Sequence, residues 1–261
     1  MTALLIDLDG VIYEGDDPVA GATDTIAWIT EQKIPHLFLT NTTSRPRAAL
    51  VEKLAGMNVS ATESRILTPP TAAVRWLSDH APGPAALFVA PPALKEFSGL
   101  DIAPEGQSEV ASVVIGDYGE LWDFGELNRA FRLLMAKPQP LLVALGMTRY
   151  WKAADGLRLD TAPFVMALSH ATGAEPVVLG KPARPFFETA LAMLEAGPEE
   201  TVMVGDDIRG DIGGAQNAGI TAVLVKTGKF RPDDLKGDVE PDAVLDSIAD
   251  LPECWDAIRT R

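Results

Sequence analysis

The stretch Leu4-Leu5-Ile6-Asp7-Leu8-Asp9-Gly10-Val11 decides how the chain is read. Apolar residues run directly into two aspartates spaced one apart, and a glycine follows. A short unbroken apolar run of this kind fits a strand buried on both faces, as in a parallel sheet covered by helices. Side chains along a strand repeat every second residue, so strand geometry predicts Asp7 and Asp9 on the same side. Their position at the end of the run predicts the carboxyl edge of an open α/β sheet, where such folds build ligand sites. Two carboxylates held together repel, and they need a cation, a proton or a special task to coexist. Taken alone, Asp-Leu-Asp-Gly is equally a polar turn closing a strand. Recurrence of the pattern along the chain gives it weight.

Downstream, residues 11–18 read as a short hairpin closed by the turn-forming Gly15-Asp16-Asp17-Pro18. Residues 22–33 have the apolar spacing of an amphipathic helix, and 34–39 form a second strand with Pro35 confined to its start. That strand runs into Thr40-Asn41-Thr42-Thr43-Ser44, five hydroxyl or amide residues ahead of a helix expected over 46–55. Such residues cap helices, and they present donors where a helix N-terminus attracts anions. A row this long exceeds what a cap requires. A third βα unit follows through Pro69-Pro70, with a helix over 71–77, and there these signals stop. Strands over 86–90, 110–116 and 141–146 with helices over 120–135 and 161–172 predict a separate α/β unit. The predicted organisation is a core of residues 1–70 and 179–261 and an inserted domain of 71–178.

The signals resume at Gly180-Lys181-Pro182. Lys181 stands at the mouth of a helix expected to run to residue 194, where the positive helix end disfavours a cation. The position makes sense if Lys181 faces carboxylates or a phosphate. Residues 201–205 repeat the buried-strand pattern and run into Asp206-Asp207, with Asp211 four residues beyond. Gly213 opens a small-residue helix. A strand over 221–225 ends in Lys226-Thr227-Gly228-Lys229, and a last strand over 242–245 precedes a closing helix over 247–261.

Composition limits the partners. The chain has 261 residues, 47% of them hydrophobic, and a formal net charge of −15. That acidity repels nucleic acid and anionic lipid, so neither is an expected partner. It also repels a phosphorylated substrate at long range, which a bound cation or a local basic residue must offset at the site. Cys254 is the single cysteine, which excludes an intrachain disulfide, and His36, His80 and His170 lack metal-ligand spacing. No apolar run reaches membrane-spanning length, and the first residues show no basic segment of a signal peptide. A cytoplasmic protein is expected.

Neighbouring strand ends share one crevice in a doubly wound fold. Asp7 and Asp9, Thr40 and Asn41, and Asp206, Asp207 and Asp211 all follow predicted strands, and Lys181 joins them from a helix mouth. Oxygen ligands of this kind suit Mg2+ together with a substrate phosphate. One carboxylate can attack phosphorus, and another can move protons to and from the leaving oxygen and water. The residue types leave open which aspartate has which task.

In this order, Asp7-Leu8-Asp9-Gly10, Thr40-Asn41, Lys181 and Gly205-Asp206-Asp207 with Asp211 resemble the motifs of the haloacid dehalogenase-like superfamily of aspartate-nucleophile phosphatases. The place of the insertion resembles subclass IIA, whose α/β cap lies between motifs two and three. The stretch Arg149-Tyr150-Trp151-Lys152-Ala153-Ala154-Asp155-Gly156-Leu157, then Pro163-Phe164, and Gly180-Lys181-Pro182 with Phe186-Phe187 are similar to one branch. It contains the phospholysine phosphohistidine inorganic pyrophosphate phosphatases and their hydrolase-domain relatives. Tyr150-Trp151 departs from it, since two tyrosines are usual there.

The resemblance implies a Rossmann-like core with a C2-type cap. It implies Mg2+-dependent hydrolysis of a small phosphorylated metabolite through an aspartyl phosphate. By resemblance, Asp7 is nucleophile and metal ligand, and Asp9 is general acid/base with a metal-binding backbone carbonyl. Thr40 and Lys181 bind the phosphoryl group, and Asn41 supports them. Asp206 is a direct metal ligand, while Asp207 and Asp211 hold metal-bound water or orient Lys181. In the cap, Gly146, Met147 and Thr148 are candidate substrate-lip residues. Tyr150, Trp151 and Phe164 are candidate pocket, packing or dimer-contact aromatics, since the subclass often forms homodimers through its cap. The competing readings are a metal-independent dehalogenase, a phosphoacceptor switch and a catalytically silent binding protein. Turnover separates the enzymes from the other two.

Overall fold

The computed structural model describes residues 2–153 and 155–260. Ala154, in the stretch that carries the branch resemblance, lies outside the described residues. The chain divides into two compact units. One comprises Met1–Thr40, Arg47–Leu67 and Lys181–Arg261; the other comprises Asn41–Pro46 and Thr68–Gly180.

The first unit begins with β1 (Ala3–Asp7), buried at every position as its unbroken apolar run predicts. The hairpin β2 (Tyr13–Glu14) and β3 (Asp17–Pro18) follows, then α1 (Ala22–Glu31), β4 (His36–Leu39), α2 (Arg47–Gly56) and β5 (Ile66–Leu67). In the second unit come α3 (Pro69–His80), β6 (Ala85–Phe88), β7 (Ser112–Ile115), α4 (Phe124–Leu134) and β8 (Leu141–Ala144). The hairpin β9 (Tyr150–Ala153) and β10 (Gly156–Leu159), α5 (Thr161–Thr172) and β11 (Pro176–Val178) complete it. Back in the first unit are α6 (Arg184–Leu194), β12 (Thr201–Gly205), α7 (Gly214–Asn217), β13 (Thr221–Val225), β14 (Ala243–Leu245) and α8 (Leu251–Ile258). A π-helical turn, Ile208–Gly213, leads into α7.

In the first unit six strands form one parallel sheet in the order β14-β13-β12-β1-β4-β5. The chain moves outward from β1 through β4 to β5, and on the other side from β12 through β13 to β14. The β1/β12 junction is therefore the switch point at which such sheets open a crevice. Leu4, Ile6, Phe38, Val202, Val204 and Val223 fill one face of the sheet. Burying an aliphatic side chain of this size stabilises by about 1.5–3 kcal/mol.

The second unit has a four-stranded parallel sheet, β11-β8-β7-β6. Trp122 stacks between Phe88 and Phe164, with ring centroids 5.4 and 4.9 Å away. Phe164 is thus a packing residue, while Tyr150 and Trp151 are exposed. The β9–β10 hairpin was not expected from the sequence. Leu157 and Leu159 on it are 71% and 62% exposed. All four residues of β10 are exposed, which leaves no in-out alternation to read there. Among the described residues no helix is long and apolar enough to cross a membrane.

Candidate active site

Three strand ends and two turns build the site. Asp7 is the last residue of β1, Asp206 immediately follows β12, and Thr40 immediately follows β4. Register keeps these ends level, because Ile6 pairs with Val204 and Asp7 with Leu39. Lys181 lies on the turn before α6, and Asp211 on the π-helical turn after β12. Asp7, Lys181, Asp206 and Asp211 are all buried.

Lys181 Nζ donates a 2.5 Å hydrogen bond to Asp7 Oδ1 and lies 2.6 Å from Asp211 Oδ1, an ion pair without hydrogen-bond angles. Oxygens of Asp7, Asp206 and Asp211 come within 4.8 Å of one another. Asp207 caps the π-helical turn, accepting from the Arg209 and Gly210 N–H groups at 3.1 and 2.8 Å. Its own N–H donates to Asp211 Oδ2 at 3.2 Å. Glycines permit this density. A Cβ on Gly205 would fall on Asp211, and Gly10, at φ +94°, faces the Asp206 carboxylate so closely that a Cβ would overlap it.

Burial drives the electrostatics. It pushes Asp7 above the usual carboxylate range, with Lys181 opposing and Asp206 adding to the shift. Burial pushes Asp206 up to about 6, against a hydrogen bond from the Lys229 N–H. Burial and then the Asp7 charge raise Asp211. Burial alone would lower Lys181, but the Asp211 and Asp7 carboxylates outweigh it and raise the ammonium's pKa. Asp207 goes the other way: burial would raise it, but the Gly210 N–H and the Lys229 charge bring it below the usual range. Three buried carboxylates therefore share one ammonium, an imbalance that a proton or a divalent cation resolves. Asp206 Oδ1 is buried and has no hydrogen-bond partner among the described residues. An all-oxygen cluster with an unused lone pair fits a hard cation such as Mg2+.

The remaining sequence candidates are not part of the carboxylate trio. Regular strand ends at Asp7, so the period-two argument does not extend to Asp9, which is exposed on a bend bridged to Tyr13. The Asp9 carboxyl is not in the close trio. Thr40 is buried, and its N–H donates to the Leu67 carbonyl at 3.2 Å. Asn41 belongs to the second unit. So do Gly146, Met147 and Thr148, which follow β8. There Met147 packs on the unit's core, and the Thr148 carbonyl accepts from the Ala162 N–H at 3.1 Å.

One part of the site was missed in the sequence. The Thr227-Gly228-Lys229 loop after β13 closes over Gly10 and Asp206. The Lys229 N–H donates to Asp206 Oδ2 at 2.7 Å, and Thr227 Oγ1 donates to the Gly10 carbonyl at 2.5 Å. Lys229 Nζ lies 3.4 Å from Asp207 Oδ2, and the Gly228 N–H donates to Glu14 Oε1 at 2.7 Å. The available signal was a buried strand running into polar residues, the same signal that marked Asp7 and Asp206.

Comparison with known proteins places the chain. A family model described as haloacid dehalogenase-like hydrolase matches residues 4–102, and a second, HAD-hydrolase-like, matches 178–251. Human phospholysine phosphohistidine inorganic pyrophosphate phosphatase is 35% identical over 252 residues, covering 95% of this chain and 91% of the relative. The chain belongs to the haloacid dehalogenase-like hydrolases. Haloacid dehalogenase-like hydrolase domain-containing protein 2 of Bos taurus is 40% identical over 234 residues, covering 90% of this chain and 87% of the relative. A hypothetical protein of Pyrococcus horikoshii OT3 has a similar solved structure, with TM-score 0.88, 28% identity and coverage of 98% and 100%. The p-nitrophenyl phosphatase of Archaeoglobus fulgidus matches with TM-score 0.87 and 26% identity over 97% of this chain and 98% of that one. This haloacid dehalogenase-like hydrolase has the family's Rossmann-like fold and is a HAD-like phosphatase.

Proposed function

We propose that the protein is a Mg2+-dependent phosphatase that hydrolyses a small phosphorylated metabolite through an aspartyl phosphate on Asp7. The observation that carries this reading is Lys181 bridging Asp7 and Asp211 beside the unpartnered, buried Asp206 Oδ1. Asp7, Asp206 and the Asp9 backbone carbonyl hold Mg2+, which when bound supplies positive charge and Lewis acidity at the phosphoryl oxygens. Lys181 fixes one Asp7 oxygen, leaving the other as nucleophile. Asp7 attacks phosphorus as the ester P–O bond breaks, and Asp9 protonates the departing oxygen. Asp9 then takes a proton from the water that cleaves the acyl phosphate. Its exposure supports that task, since the proton can be exchanged with solvent.

Lys181, Thr40 and Asn41 stabilise charge on the transferring group. Asp207 and Asp211 hold metal-bound water or orient Lys181. Residues 71–178 act as an inserted cap that selects substrate, with Gly146, Met147 and Thr148 at its lip. The names of the curated relatives support P–N and P–O–P bonds as candidate targets besides phosphate esters. The exposed Tyr150, Trp151, Leu157 and Leu159 support a homodimer through the cap. The free Cys254 suits the reducing cytoplasm, and the net charge of −15 disfavours nucleic acid and membrane surfaces.

The test is phosphate release from p-nitrophenyl phosphate with Mg2+, with a chelator, and in Asp7→Asn. Release that requires Mg2+ and vanishes in the variant is expected. Release that survives the chelator or the substitution overturns the mechanism. If that ester is not turned over, beryllium fluoride binding with Mg2+ reports whether the acyl-phosphate site is formed.

A further inference from the structure

The amino-terminal edge of the six-stranded sheet carries a cavity of about 450 Å³. It lies where α1 ends, where α2 has ended and where β4 and β5 begin, at the opposite edge from Asp7. Lys33, His36 and Arg65 line it with the hydroxyls of Thr30, Ser60 and Thr62, and no carboxylate does. This is unusual in a chain with 37 acidic and 22 basic residues. Among the described residues, neither Lys33 nor Arg65 forms an ion pair; neighbouring Glu63 pairs with Arg47 instead.

His36 explains how Arg65 is held. Its ring is buried. Nδ1 is 3.0 Å from the Ile34 carbonyl, which only accepts, so Nδ1 carries the proton. Arg65 Nη1 lies 3.2 Å from Nδ1 and 3.4 Å from Nε2, so the guanidinium rests against the imidazole, whose acceptor is then Nε2. Burial, with Arg65 adding, pushes the imidazole's pKa down and keeps it neutral for that role. The other guanidinium donors remain for a ligand. Two cationic side chains lining one cavity, with no carboxylate among its lining residues, suit an anion from outside. The volume falls in the small-molecule range and exceeds what inorganic phosphate fills.

We propose that this cavity is a second anion site, separate from the carboxylate cluster, that binds a small phosphate-bearing molecule. Lys33 and Arg65 supply the charge, and Ser60 and Thr62 supply hydroxyls, while the Thr30 hydroxyl donates to the Ile26 carbonyl at 2.8 Å and offers only a lone pair. From His36 to Thr40, β4 advances only about 13 Å at strand rise, so the two sites sit at opposite ends of one strand. The site is independent of the catalytic reading.

The chain has three histidines, so ring-nitrogen NMR on the full-length protein can follow His36 directly. Inorganic phosphate is titrated at pH 7.5 in chelator, against chloride at matched ionic strength. A saturable shift of the His36 ring is expected, with His80 and His170 unmoved, and it persists in Asp7→Asn. In Lys33→Asn and Arg65→Ala the midpoint rises at least tenfold. An unmoved His36, an equal shift with chloride, or unchanged midpoints in both variants overturns the proposal.

Discussion

Lys181 Nζ lies 2.5 Å from Asp7 Oδ1, a buried contact between residues 174 positions apart in the chain. The same ammonium is 2.6 Å from Asp211 Oδ1. One cation therefore orients the candidate nucleophile and partly neutralises two carboxylates. Lys181→Met should cost about 3–5 kcal/mol, because removing one partner leaves buried charge uncompensated. Lys181→Met with Asp211→Asn should recover part of that loss. Urea unfolding of both variants in chelator measures it; a loss under about 1 kcal/mol would mean that solvent already screens the pair.

The raised pKa of Asp206 makes metal-free stability depend on pH. Its folded value of about 6 exceeds the ordinary 3.8. The folded state thus keeps a proton that the unfolded chain has released. The contribution is full below the unfolded value and is lost as pH rises through about 6, on the order of 3 kcal/mol. Mg2+ held by Asp206, as proposed, would bind the ionised carboxylate, so stabilisation by the metal should grow over the same window. Unfolding in chelator at pH 5, 6.5 and 8 should show a steeper loss in wild type than in Asp206→Asn. Parallel pH profiles would count against a perturbed Asp206.

Gly10 tests the packing around Asp206. Its φ of +94° and the adjacent carboxylate both oppose a side chain. Gly10→Ala should cost about 1–2 kcal/mol in backbone strain and also displace Asp206. A Mg2+ titration by calorimetry should weaken at least tenfold. Gly15→Ala has a φ of +59° with nothing within 4 Å of its Cβ, so it carries strain alone. It should leave the titration unchanged; equal weakening in both would assign the effect to strain.

Exchange of the Gly146–Thr148 loop tests whether substrate selection separates from chemistry. Exchanging it for the loop of a relative should reorder preference among phosphorylated metabolites by tenfold or more. The rate with p-nitrophenyl phosphate should change less than threefold. An unaltered preference profile would return the loop to an ordinary connection after β8.

The elements with strong periodicity were legible without the fold. The helix Thr161–Thr172 and the strand Thr221–Val225 match their sequence readings residue for residue, and β1 ends where its apolar run meets Asp7. Those signals are local, since burial on both faces demands apolar residues at consecutive positions. Residues at or just beyond the ends of such strands, Asp7, Thr40 and Asp206, were legible for the same reason.

What the sequence determined by itself was therefore the set of strands and the polar groups at their carboxyl ends. Tertiary structure alone decided which of those groups meet. Asp211, not the Asp9 carboxyl, joins Asp7 and Asp206 in the close trio, because the π-helical turn after β12 folds back over Gly205. The Lys229 N–H reaches Asp206 because β13 lies beside β12. Distances between strand ends follow from sheet order and register, and these are set by pairings between residues far apart in the chain.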